Sequence, residues 1–217
     1  MQLRTSVLAA AAAFALVGGA AHAADVLTIN GAPGDGFHYG AGNNYSPANA
    51  LVLTTDGGDE LDLRFHQTFV TAPASTGDTY SFALGTSPIS FDWGIDTSGT
   101  GSFSNVTATI TVFRLGVGNF SYDPFFVGND NSVASGSAQN SARLNWFPIG
   151  FDPNVDSTYK VQLTVNGLSG GTKTLSGFAK VGAGADVPEP ATWAMLVAGF
   201  GLSGAMLRRR AKSAATA

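Results

Sequence analysis

Cysteine is absent from all 217 residues, and that absence removes several chemistries at once. No disulfide can staple the fold, no thiolate can hold zinc, and no cysteine nucleophile exists. Stability must come from packing, which a chain of this length can supply. Histidine is nearly as scarce: His22, His38 and His66 are the only three. Zinc hydrolysis wants two or three histidines at close spacing, and no such spacing is present. Charge is sparse too, at 12% of residues, and positive charge is sparsest in the middle of the chain. Between residues 24 and 186 stand 14 acidic and 6 basic side chains, a net of −8. Nucleic acid and anionic lipid need clustered lysine and arginine, so neither is an expected partner of this segment.

Helical periodicity is also missing from residues 24–186, and period-2 alternation takes its place. In ELDLRFHQTFV, Leu61, Leu63, Phe65 and Phe69 share one face while Asp62, Arg64, His66 and Thr68 share the other. NVTATITVF sets Val106, Ala108, Ile110 and Val112 against Thr107, Thr109 and Thr111. TYKVQLTVNGL sets Tyr159, Val161, Leu163 and Val165 against Lys160, Gln162 and Thr164. Such alternation marks half-buried strands. Further strands are expected at 25–30, 49–54, 78–84, 88–93, 132–138, 142–147 and 172–181. Ser169-Gly170-Gly171 supplies the positive-φ residues of a tight hairpin between the last two. Short strands with Gly-rich turns imply an all-β body over 24–186, an antiparallel β-sandwich of jelly-roll-like type.

Candidate sites within this body are few. His66, alternating with Asp62 and Arg64, is expected on a solvent face with no catalytic duty. Asp92 and Asp96 flank Trp93 in FDWGIDTSG, as a sugar-stacking carboxylate pair would, although turn aspartates capping backbone donors explain them more simply. Asp152, Asn154 and Asp156 supply the alternating oxygens that open a calcium loop. Ser157 and Leu163 stand where an EF-hand places its glycine and its bidentate glutamate, so the match is incomplete. TDGGDELD and GNDNS are further acidic loops, and calcium at one of these loops is the only exception to an expectation of no cofactor. Phe125, Phe126, Trp146, Phe147 and Phe151 lie near turns, where they serve either as core anchors or as a carbohydrate platform. The row Thr107, Thr109, Thr111 reads as ordinary β-propensity, since a water-ordering surface needs several aligned strands.

The two ends are more explicit. Arg4, the apolar run from Val7 to Val17 and the Ala21-His22-Ala23 site read as a signal peptide over 1–23, cleaved by signal peptidase after Ala23. At the other end, over 187–217, Pro188-Glu189-Pro190 precedes an uncharged run from Ala191 to Leu207 and then Arg208, Arg209, Arg210 and Lys212. The run is just long enough to cross a bilayer, and the basic cluster holds its end in the cytoplasm. The prolines bar the preceding tripeptide from sheet or helix and leave it extended at the membrane face.

Pro188-Glu189-Pro190, then Trp193-Ala194, then an apolar Gly-rich run and an arginine cluster resemble the PEP-CTERM sorting signal in its PEPxxWA form. The resemblance covers about 30 residues and implies recognition by an exosortase, a membrane transpeptidase of Gram-negative bacteria that make exopolysaccharide. It implies a body outside the inner membrane, cut near Glu189 and passed to the surface or the medium. TGDTYSF is similar to the FxDxF strand motif of some such proteins, with Asp78 present, Tyr80 for the second Phe and Thr76 in place of the first. The expectation is therefore a non-enzymatic surface or matrix protein, structural or adhesive in exopolysaccharide or biofilm. A carbohydrate-binding module is the second reading and would need exposed aromatics near Trp93 or Trp146. A hydrolase is the third and would need a cleft joining a histidine or two carboxylates.

Overall fold

A computed structural model describes residues 24–34, 48–126 and 136–183 of the chain. Ten strands run through them: β1 Val26–Gly31, β2 Ala50–Thr54, β3 Glu60–Gln67, β4 Thr79–Phe82, β5 Ile89–Asp96, β6 Thr107–Arg114, β7 Gly118–Tyr122, β8 Ser137–Arg143, β9 Ser157–Leu168 and β10 Gly171–Val181. They form two five-stranded sheets. The first has the order β1-β2-β3-β5-β8 and the second β4-β10-β9-β6-β7.

Alternation along each strand selects the face that the sheets share. Leu51, Leu61, Leu63, Phe65, Phe91, Trp93 and Ile95 of the first sheet meet Ile110, Val112, Tyr159, Val161, Leu163 and Ala179 of the second in one buried core. Gly177 on β10 fixes how closely the layers approach. A methyl there would stand 3.0 to 3.2 Å from Leu51, Leu63 and Phe65, so the missing side chain is part of the packing. The layers make a β-sandwich whose two inner faces interdigitate.

Three expectations need correction. The sandwich is not wholly antiparallel: β4 lies parallel to β10, with Phe178 opposite Thr79 and Val181 opposite Phe82. The chain can pair this way because a long connection, not a hairpin, separates the two strands. Between the strands expected at 132–138 and 142–147 lies β8, whose sequence SAQNSAR lacks apolar alternation. Its inward residues Ala138, Asn140 and Ala142 face Ile95, Trp93 and Phe91 on β5. Large β5 side chains leave room only for small ones beside them, so this strand is dictated by its neighbour. Residues 144–146 form a 3₁₀ turn. Strand β7 was not anticipated at all; it is an exposed edge paired to β6, and nothing in GNFSY signals burial.

Phe69 also departs from its expected inward position. It lies past the end of β3, where alternation no longer applies, and it is exposed.

Candidate functional site

The outward face of β3 was expected to meet solvent, yet Asp62, Arg64 and His66 are all buried. Ser90 and Asp92 on β5, and Gln139 and Ser141 on β8, share that face and are buried as well. Alternation tells which side of a sheet a residue takes, not whether that side is covered, and here both sides are.

On this face the Arg64 Nε donates to Asp92 Oδ2 at 2.6 Å, and His66 Nε2 lies 3.2 Å from Asp92 Oδ1. His66 Nδ1 lies 2.8 Å from the carbonyl of Gln67. A carboxylate and a carbonyl can only accept, so donating to both at once requires a proton on each ring nitrogen, which is the imidazolium form. Burial alone would lower its pKa, but the hydrogen bond and charge of Asp92 prevail and raise it. Asp92 shifts the other way: burial opposes ionisation, while His66 and Arg64 together hold the carboxyl below its ordinary value. With both nitrogens engaged, this histidine offers no base to Ser90, whose hydroxyl bonds Thr68 at 2.7 Å. Asp92 is thus a buried ion-pair partner and not a turn residue.

The network supports a turn. Val70 N–H donates to the Gln67 carbonyl, and Thr68 N–H donates to that of Pro88, each at 2.9 Å. Phe69 sits within this turn at φ +66°, a region that suits glycine or asparagine and strains a bulky residue. The residue is 76% exposed. Arg143 ends β8 in register with Ser90, and its guanidinium lies 5.9 Å from the Phe69 ring centroid and 5.6 Å from that of Trp146. Trp146 is 51% exposed. Two open rings therefore flank one arginine, within cation–π range of both. Trp146 was among the aromatic candidates of the sequence. Phe69 and Arg143 were missed, since no motif marks them.

The remaining candidates divide. Trp93 is buried in the core, on the face opposite Asp92, which removes the sugar-stacking arrangement expected there. Asp96 accepts from the N–H and hydroxyl of Ser98, as a turn aspartate does. Phe125, Phe147 and Phe151 pack against the core, with Phe147 stacked on Phe91 and Tyr122, whereas Phe126 is exposed. Asp152 Oδ1 accepts the Asn154 N–H and Asp156 Oδ1 accepts the Ala183 N–H. Among the described residues no three acidic or histidine side chains gather as a metal site would require. Thr109 aligns across the second sheet with Thr164 and Thr174, two of whose hydroxyls bond each other at 3.2 Å. A further cluster forms at Asp59, buried between loops. It accepts from the N–H and hydroxyl of Thr100 and of Ser169, and burial is outweighed so that its pKa falls.

Ala21, Ala23, His38, Pro188, Glu189, Pro190, Trp193, Ala194, Arg208, Arg209 and Arg210 lie outside the described residues. So does the apolar run 191–207; among the described residues no helix is long and apolar enough to cross a membrane. Comparison with protein families finds a PEP-CTERM protein-sorting motif at residues 186–210. No curated protein and no solved structure matches the chain.

Proposed function

From a chain that carries a PEP-CTERM protein-sorting motif, we propose an exported envelope protein that an exosortase cuts near Glu189 and passes to the cell surface or the medium. The body then serves as a structural or adhesive module in exopolysaccharide. The observation that carries this reading is the sequence of the tail: Pro188-Glu189-Pro190, then an uncharged run, then an arginine cluster. Export outside the cytoplasm fits a signal peptide at the other end and a body with a net charge of −8.

The test compares intact mass and cell fractionation of the native protein with a Pro188→Ala/Glu189→Ala/Pro190→Ala variant. The native body should end near Val187 to Glu189 outside the inner membrane, and the variant should stay in it. If both proteins keep Arg208 to Lys212 and remain in the inner membrane, the tail is an anchor and the sorting reading fails.

A second reading, a carbohydrate-binding module, is favoured by one observation. Trp146 and Phe69 are exposed and flank Arg143 at one end of the first sheet. Open aromatic faces beside a hydrogen-bond donor are what a sugar ring requires.

A further inference from the structure

We propose that Phe69, Arg143 and Trp146 form a binding site for an isolated acidic sugar, a carboxylate-bearing residue set among neutral sugars in a polysaccharide. The proposal rests on the carbohydrate-binding reading and names the ligand class of that same site.

Arg143 carries the argument. Among the described residues its guanidinium meets two aromatic rings and no carboxylate or carbonyl, and its buried Nε has no hydrogen-bond partner. Leaving a partly desolvated charged donor unpaired is costly. Other cations of the body are engaged: Arg64 with Asp92, Lys173 with Asp25, and Arg114 with the Gly150 carbonyl. An anionic group on a ligand would supply the charged partner that no described acidic side chain gives Arg143. A guanidinium presents parallel donors that match a carboxylate, and two rings lie within cation–π range of this one.

Strain is a second, independent observation. Phe69 holds a left-handed backbone while exposing its ring. Such conformations persist when the surroundings over-determine them, and they concentrate at ligand sites. Here the surroundings are the turn bonds to Gln67 and Pro88 and the buried network behind them. The third observation is room for a longer chain. An open groove of about 210 Å³ is lined by Gln67 and Val70, the neighbours in sequence of the Thr68-Phe69 turn, and by Thr71, Pro73, Ser81 and Thr86. Its amide and hydroxyls suit sugar hydroxyls. Net charge sets the spacing of acids in the ligand. A body at −8 repels a dense polyanion but tolerates single carboxylates separated by neutral units.

The experiment is calorimetric titration of the full chain in detergent. The probes are a hexasaccharide alternating glucuronate with N-acetylglucosamine, a xylo-oligosaccharide bearing one glucuronate, and the carboxyl-reduced form of each. The native protein should bind at least one acidic probe about tenfold or more tightly than its reduced form, as a charge-assisted pair would give. Arg143→Gln should abolish that preference, and Arg143→Lys should weaken it, because an ammonium neither forks nor stacks in the same way. Phe69→Ala and Trp146→Ala should weaken both forms, with native thermal melting retained since both rings are exposed.

If acidic and reduced probes bind equally and Arg143→Gln changes neither, the acidic inference is wrong while carbohydrate binding stands. No binding of any probe at millimolar concentration overturns both. Binding that survives Phe69→Ala and Trp146→Ala places the site elsewhere and also overturns the proposal.

Discussion

The protonated Nδ1 of His66 bonds the carbonyl of Gln67 at 2.8 Å, and that same carbonyl closes the turn beneath Phe69 by accepting the Val70 N–H. A buried imidazolium thus braces an exposed aromatic ring through a single backbone oxygen. Because Asp92 raises the His66 pKa above its ordinary 6.5, the stability it contributes is complete below that value and is lost as pH rises through the raised one. Urea midpoints measured from pH 6 upward should fall on the alkaline side, and His66→Leu should flatten that limb. Hydrogen exchange at Val70 should quicken in the same variant; an unchanged rate would mean the brace is not needed.

Asp92 stands between two buried cations, so removing it takes a charged partner from each. Asp92→Leu should cost about 3–5 kcal/mol in chemical unfolding, and Arg64→Met added to it should recover part of the loss. A double-mutant cycle measures the coupling. Additive losses would show that the pair does not act as a unit. Asp92 also predicts acid sensitivity: its pKa is lowered, so its contribution is present above the ordinary carboxylate value and disappears as pH falls through the lowered one.

Phe69→Gly separates strain from function. Glycine accepts φ +66° without penalty, whereas the native side chain pays for it. The substitution should raise unfolding free energy by about 1 kcal/mol while removing one ring of the proposed site. Thermal melting read beside sugar titration checks both halves. A variant less stable than the native chain would mean that the contact between Phe69 and Arg143 outweighs the backbone strain.

Asp59 ties three loops, those after β2, β5 and β9, through Thr55, Thr100 and Ser169. Asp59→Ala should strip the four hydrogen bonds it accepts and cost about 2–3 kcal/mol by denaturant titration. Its lowered pKa makes this support present above the ordinary carboxylate value and lost as pH falls through the lowered one. A variant within about 0.5 kcal/mol of native would mean that the loops are held otherwise.

Alternation along the chain was enough to find β3, β6 and β9 and the class of the fold, because side-chain period follows backbone geometry wherever one face is buried. The sorting tail was equally legible, since its chemistry lies in an ordered linear stretch. Strands β7 and β8 were not legible in this way. One is an edge without a buried face, and the other takes its small residues from the bulk of Phe91 and Trp93 beside it.

The sequence by itself therefore determined the β class and the address, both of which are local or periodic properties. Only the tertiary structure decided that the second face of the first sheet is buried, that Asp92 pairs with Arg64 and His66, and that Phe69 and Trp146 flank Arg143. Those relations join residues up to 77 positions apart in the numbering. They arise from strand register and sheet order, which long-range packing sets and which no spacing along the chain encodes.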